Sequence, residues 1–324
     1  MTKTLLTYES GSLDPFVNLA TEQHLLETVE GGCCLLYLWQ NENTVVIGRN
    51  QNPWAECRWS LLEAEGGRLA RRLSGGGAVF HDLGNLNFTF LMPTEDYDLA
   101  RQQRVLLEAC RSFGIDAALS GRNDLTADGR KFSGNAFYHN GPRSYHHGTL
   151  LVDVDGEKLS RYLTPTKAKL EAKGVPSVRS RVVNLVALCP DITIPGLKRA
   201  LVDAFEAVYG HRSAPRAFDE GDRARVSSLR ERYASWAWRF GQPLPFTCRA
   251  EGRFPWGGVE IRLDVNEGVI RRAAVYSDDM DFAFPPALEK ALTGCPFTPA
   301  ALGEALKAAP HGADVLSLLQ QQEI

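Results

Sequence analysis

The chain has 324 residues, 44% hydrophobic and 23% charged, with a formal net charge of -3. This is the composition of an ordinary soluble protein with material for one large domain and a small one, and it excludes a disordered chain or a metal- or disulfide-stapled miniature. The slight acidity argues against a general nucleic-acid binder, which needs surplus Lys and Arg on its docking face.

Asp14-Pro15 is a helix start, with Asp as cap and Pro at the first helical position, and Phe16, Leu19, Leu26 and Val29 then share one face, so a helix is predicted over 15–29. The short apolar runs Cys34 to Trp39 and Thr44 to Gly48 flank the polar stretch 40–43 as two strands around a turn. Ala78 to Asp82, Leu83-Gly84 and Asn85 to Met92 read as a hairpin, with Asn87, Thr89 and Leu91 alternating against Phe88 and Phe90. A helix over 99–113 ends at Gly114. Asn123 to Ala127, Lys131 to Tyr138 and Ser144 to Val154, joined by the Asp128-Gly129 and Asn140-Gly141-Pro142 turns, form an antiparallel meander. Helices follow at 167–173 and at 197–209, the latter stopped by Gly210.

From Ala214 to Arg232 the chain is charged and poor in apolar residues, and Gly241-Gln242-Pro243-Leu244-Pro245 supplies rigid turn residues. The expected units are therefore 1–244 and 252–324, with a linker at about 245–251. In the second, Val259 to Val265 and Val269 to Tyr276 read as a hairpin, and 286–292 and 299–307 as short helices. Strands and helices mixed in both parts make the fold α+β.

The cysteines (Cys33, Cys34, Cys57, Cys110, Cys189, Cys248 and Cys295) are odd in number and lack paired spacing, which indicates neither a disulfide framework nor a zinc site. With no signal pattern at the start and no 18-residue apolar run, they are read as reduced thiols of a cytoplasmic protein.

The stretch Arg71-Arg72-Leu73-Ser74-Gly75-Gly76-Gly77-Ala78-Val79-Phe80-His81-Asp82 runs three glycines into a strand. Such a backbone can pass close to a ligand and turn several N–H groups toward one anion, with Arg72 beside it; it has neither P-loop spacing nor the strand-to-helix setting of a dinucleotide loop. A turn with solvated arginines is the alternative. Lys131 stands at a strand start beside the small residues Ser133, Gly134 and Ala136, either as a ligand-binding ammonium or as a solvated edge lysine. Asp124 either holds Mg²⁺ or caps a turn. Alternation sends His147 and Thr149 to one strand face and His146 to the other, which speaks against a zinc pair. Ser177, Val178, Arg179 and Arg181 belong to a polar, arginine-bearing loop over 174–184, suited to closing over phosphate or to a plain surface turn.

Taken together, the Arg71 to Asn85 stretch, Gly121 to Leu125, Lys131 to Ala136, His146 to Leu151 and Ser177 to Leu185 resemble, in order, the motifs of lipoate-protein ligases. The likeness extends to Asn18-Leu19-Ala20, to 44–54 and to Phe254-Pro255-Trp256, and so spans nearly the whole chain. It implies a large biotin-ligase and class II synthetase-like domain with a mixed, largely antiparallel sheet, plus a small α+β accessory domain. By this resemblance Lys131 contacts both lipoate and ATP and is catalytic. Arg72, Gly77, Ala78, Val79, Phe80, Ser177, Val178, Arg179 and Arg181 bind ATP. Asn18, Trp39, Arg72, Ser74, Gly77, His81, His147 and Thr149 bind lipoate, with Trp39 by the dithiolane tail, and Asp124 is the Mg²⁺ candidate.

The implied reaction makes lipoyl-AMP and pyrophosphate from lipoate and ATP, then lipoylates a lysine on lipoyl domains of 2-oxoacid dehydrogenase E2 subunits or the glycine cleavage H protein. A monomer with no nucleic-acid or membrane partner is expected. The alternatives are a transferase of the same fold using a preformed adenylate or acyl thioester, and a lipoate sensor or scaffold. A cysteine-dependent transferase is disfavoured because no cysteine lies between 111 and 188.

Overall fold

Short-range chemistry sets the first helix: Asp14 Oδ1 accepts from the Phe16 N–H at 2.9 Å, Pro15 fills the first turn, and the helix runs Pro15–Thr28. The computed structural model describes residues 2, 4–121, 123–164, 182–240, 248–266 and 268–321. Its strands are β1 (Thr4–Glu9), β2 (Cys33–Trp39), β3 (Thr44–Ile47), β4 (Arg68–Arg71), β5 (Val79–His81), β6 (Asn85–Pro93), β7 (Ala118–Ser120), β8 (Asp124–Ala127), β9 (Arg130–Asn140), β10 (Arg143–Leu151), β11 (Ser213–Pro215), β12 (Cys248–Phe254), β13 (Gly257–Asn266) and β14 (Val269–Ser277).

Eight of these form the central sheet in the order β11-β1-β2-β6-β10-β9-β8-β7. Only the β11-β1 and β1-β2 pairs are parallel, so the sheet is mixed and largely antiparallel. Helices cover both faces, which is why every residue of β2 and β6 is buried. On one face, helices Leu99–Arg111 and Ile194–Tyr209 pack over Leu36, Phe88 and Phe90. On the other, Pro15–Thr28 and Glu220–Ala234 pack together over Tyr37, Trp39 and Tyr145. A small sheet, β4-β3-β5, has its own cluster around Val45, Ile47, Leu69 and Phe80.

The antiparallel sheet β12-β13-β14 lies apart, backed by helices Phe284–Leu292, Pro299–Leu306 and Gly312–Gln320. Among the described residues its buried core comes from the span 250–319, with Ile261, Leu263, Leu288 and Leu302 among them.

The expected meander forms, with Asp128 and Gly129 at φ 50° and 70° as a two-residue turn of that sequence requires. The hairpin expected over 78–92 does not. β5 pairs with β3 in the small sheet, while β6 enters the central one between β2 and β10. The turn between them is committed elsewhere: Gly84 O accepts from Val152 N and Asp153 N at 2.9 Å, and Asp82 Oδ1 accepts from Gly84 N at 2.8 Å. The runs Cys34 to Trp39 and Thr44 to Gly48 likewise part into different sheets.

The charged stretch before the junction is largely the helix Glu220–Ala234, opened by an Asp219–Asp222 capping box. Val226, Leu229 and Tyr233 bury one stripe on the first helix, while Arg225 pairs with Glu27 and Arg230 with Asp14. The expected helix at 167–173 and the residues 245–247 of the expected linker lie outside the described residues.

Candidate active site

Strand register puts Trp39 beside Asn87, Asn87 beside Thr149, and Gly134 beside Asp124. The Gly134 N–H reaches Thr149 Oγ1 at 3.3 Å and closes the row. Five side-chain positions thus cross β2, β6, β10, β9 and β8 in line, a span of roughly 19 Å at the usual strand spacing. All five line one cavity, whose lid is the 76–81 segment.

Lys131 reaches this face through a bulge. Leu125 pairs with Ser133 but Thr126 pairs with Lys131, so β9 carries one residue more than β8 there. Plain alternation would put Lys131 and Gly134 on opposite faces; the extra residue brings both to the cavity. A Cβ on Gly134 would stand 2.8 Å from Lys131 Nζ, so the space left by this glycine is filled by the ammonium itself. Lys131 Nζ lies 2.6 Å from Asp124 Oδ1, both half-buried. Val182 bridges to Lys131, and the Val183 N–H donates to Lys131 O at 2.8 Å, which anchors the chain that follows residue 181.

The two arginines before the glycines are buried, not solvated. Arg71 donates to the carbonyls of Gly48, Arg49, Gln51, Trp238 and Arg239. Arg72 donates to Ser74 Oγ and to the carbonyls of Val46, Gly75 and Gly77, and so holds the glycine loop in shape. Burial lowers both guanidinium pKa values to about 10, with Arg49 adding to the effect at Arg71, so both remain charged at neutral pH.

Ser74 and His147 continue from Arg72 into a buried relay. Ser74 Oγ is 2.8 Å from His147 Nε2, and His147 Nδ1 is 2.8 Å from Glu22 Oε1. Glu22 also accepts from Thr89 Oγ1 at 2.8 Å, which in turn accepts from Trp39 Nε1 at 3.1 Å. His81, packed edge-on to Trp39 with ring centroids 6.1 Å apart, is held neutral: burial first, then Arg72 and His147, push its pKa down to about 3.

The second unit closes the rim. Arg253, Asp278 and Met280 line the cavity, and the Gly76 N–H donates to Asp279 O at 2.9 Å. A Cβ on Gly75 would lie 2.4 Å from Asp279 O, so this glycine allows a protein backbone to approach.

Of the residues singled out from the sequence, Trp39, Arg72, Gly77, Ala78, Val79, Phe80, His81, Asp124, Lys131, His147 and Thr149 line this one cavity. Ser74 sits behind it in the relay, and Asn18 is buried behind it, bonded to Asn41 and Tyr37. Ser177, Val178, Arg179 and Arg181 lie outside the described residues. Glu22, Asn87 and Asn123 were missed, as were the rim residues of the second unit. Glu22 had a signal, since it interrupts the apolar stripe between Leu19 and Leu26 at helical spacing.

A cavity with a lysine–carboxylate pair at one end, an indole at the other and the glycine loop along its wall has the shape and the cation to take an extended chain that carries an acid group. Residues 14–206 match the lipoyl protein ligase A/B catalytic domain, and residues 244–322 match the bacterial lipoate protein ligase C-terminus. The chain belongs to the lipoyl protein ligase family.

It is 45% identical over 292 residues to lipoate-protein ligase A of Psychrobacter cryohalolentis, covering 88% of this chain and 86% of that one. Among solved structures it resembles P. falciparum LipL1 in complex with lipoate (TM-score 0.86, 27% identity, 98% of this chain and 100% of that one). A lipoate-protein ligase A bound with ATP superimposes at TM-score 0.64 and 26% identity, over 74% of this chain and 99% of that one. A bipartite lipoate protein ligase studied with its E2 lipoyl domain from Thermoplasma acidophilum does so at 0.66 and 25%, over 76% and 100%.

Proposed function

We propose that this protein is an ATP-dependent lipoate-protein ligase, with residues 1–244 as its catalytic part and 252–324 as its accessory part. The observation that carries the reading is Lys131, paired with Asp124 at one end of a row of cavity residues that ends at Trp39. The lipoate carboxylate lies at the Lys131 end, its chain along the row and its ring toward Trp39.

In the first step a carboxylate oxygen attacks the α-phosphorus of ATP, and pyrophosphate leaves. Lys131 stabilises charge on the phosphate and carboxylate oxygens. Arg72 acts through the loop: its donors on Gly75 O and Gly77 O set the path of the backbone at Gly77 to Phe80 past the nucleotide. In the second step an acceptor lysine attacks the mixed anhydride and AMP leaves. The adenylate is intrinsically reactive, so the enclosed cavity serves mainly to keep water out and the chain in line.

Mg²⁺ fits this site as a companion of ATP. Asp124 is a cavity carboxylate beside Lys131 and would hold the ion through its hard oxygen donors. When bound it neutralises phosphate charge.

The acceptors are lipoyl domains, such as those of 2-oxoacid dehydrogenase E2 subunits and the glycine cleavage H protein, and the enzyme works as a cytoplasmic monomer. Its cysteines are free thiols, and no helix among the described residues is long and apolar enough to cross a membrane. A cysteine-dependent transferase has no nucleophile here, because no cysteine lines the cavity and burial pushes the thiols of Cys34, Cys57 and Cys110 up to about 12. The deciding experiment is pyrophosphate release by purified protein given lipoate and Mg-ATP. Release that requires lipoate supports the ligase; none would leave a transferase or a sensor.

A further inference from the structure

Arg253 belongs to the second unit, yet it lines the same cavity as Lys131 and Asp124. Strand pairing sets it opposite Gly258, where a Cβ would stand 3.0 Å from Arg253 Nη1, so the guanidinium occupies the place a side chain would take. Asp278 fixes it there. Its Oδ1 accepts from the Gly258 N–H at 2.6 Å and its Oδ2 from Arg253 Nη1 at 3.2 Å, with the Arg253 side chain 21% exposed. A guanidinium is a rigid fork of N–H donors, and this contact engages one nitrogen of it.

The pair stands at the Lys131 end of the cavity. Asp278 and Met280 share one turn, Met280 Sδ lies 3.8 Å from Asn123 Nδ2, and Asn123 adjoins Asp124 in the chain. Trp39 lies at the other end of the row. Among the described residues, Arg72, Lys131 and Arg253 are the Arg and Lys side chains of the lining. Arg72 spends its donors on Ser74 Oγ and on the carbonyls of Val46, Gly75 and Gly77. Lys131 serves the acid group and the α-phosphate. The negative charge of a triphosphate tail is therefore left to Arg253.

The chemistry of the first step directs that tail to it. A carboxylate oxygen bonds to the α-phosphorus, the bond from that phosphorus to the oxygen of the β-phosphate breaks roughly opposite, and the electron pair leaves on pyrophosphate. With the acyl chain coming from the Trp39 side, the leaving group points away from Trp39, toward the rim that Asp278 and Arg253 form.

We infer that Arg253 is a further residue of the adenylation step, its guanidinium binding the β- and γ-phosphates of ATP and neutralising the charge on pyrophosphate as it leaves. This rests on the ligase reading and adds to it a named group from the second unit. Arginine suits the task, because its planar fork matches phosphate oxygens and stays charged throughout.

The test uses the full chain as wild type, Arg253→Gln and Arg253→Lys. Calorimetry measures binding of ATP, AMP and pyrophosphate, each with Mg²⁺, and pyrophosphate release gives KM for ATP and for lipoate. In Arg253→Gln the Kd values of ATP and pyrophosphate and the KM for ATP rise about tenfold, while the Kd of AMP and the KM for lipoate change by about twofold or less. Arg253→Lys, which keeps the charge but not the fork, recovers part of the loss. Equal weakening of ATP and AMP would overturn the assignment, because AMP lacks the outer phosphates and a loss shared by both marks an effect on the loop or the fold. Unchanged binding of ATP and pyrophosphate would overturn it as well. Should the wild type release no pyrophosphate from lipoate and ATP, the ligase reading fails by itself, and the three binding measurements still decide on Arg253.

Discussion

His147 Nδ1 lies 2.8 Å from Glu22 Oε1, in a cavity wall where both side chains are almost fully buried. The carboxylate accepts from the Nδ1–H, and Nε2 meets the Ser74 hydroxyl, whose oxygen takes the Arg72 Nε–H at 3.0 Å. The guanidinium that shapes the glycine loop and the carboxylate on the first helix are thereby joined through a hydroxyl and an imidazole. Glu22→Gln keeps the size but removes the charge, leaving a weaker amide oxygen to accept from His147 Nδ1 and Thr89 Oγ1. It should lower the unfolding free energy by about 2 kcal/mol and reduce kcat/KM for lipoate at least tenfold. Urea unfolding and pyrophosphate release check this; unchanged midpoints would mean that the relay adds nothing to stability.

Gly75→Ala places a methyl where Asp279 O and Met280 O stand, at 2.4 and 2.9 Å. Both are backbone atoms, so the turn around Asp279 must shift, and the Gly76 N–H loses its acceptor at 2.9 Å. The central sheet is untouched. The expected result is a folded protein whose 277–282 turn is cut faster by protease and whose adenylation is slowed about tenfold or more. Wild-type proteolysis would show that the two units do not meet at this loop in solution.

Lys131→Ala removes the cation of the site while leaving its surroundings packed, since Lys131 and Asp124 are each 22% exposed and water can replace the lost partner. Pyrophosphate release should fall at least a hundredfold with little change in melting temperature. Turnover within a few-fold of wild type would remove Lys131 from the mechanism.

His81 makes stability depend on pH. Burial, Arg72 and His147 hold its pKa near 3 in the folded protein, against about 6.5 in an unfolded chain. The unfolded state therefore takes up the proton first. The contribution is complete above about pH 6.5 and is lost as pH falls from there toward 3, at up to about 1.4 kcal/mol per pH unit. Urea midpoints at pH 7 and pH 5 should differ less in His81→Phe than in the wild type; equal differences would show that other groups carry the effect.

The first helix, the meander with its Asp128-Gly129 turn, the Gly210 stop and the alternation along β6 were legible in the sequence because caps, turns and alternation are decided by neighbours in the chain. The motif residues around the glycines, Lys131 and His147 could be picked out for the same reason: unusual residue types stand close together. Tertiary structure alone decided which strands pair, so that β5 joins β3 and not β6, because pairing partners are chosen by burial across distant segments. It decided that Arg71 and Arg72 are buried staples, since the carbonyls they bind come from segments remote in sequence. It placed Lys131 in the cavity by one bulged residue on β9, and it brought Glu22 behind His147 and Asp279 onto Gly76. These contacts join residues that no local pattern relates, and they turn a set of recognisable side chains into one site.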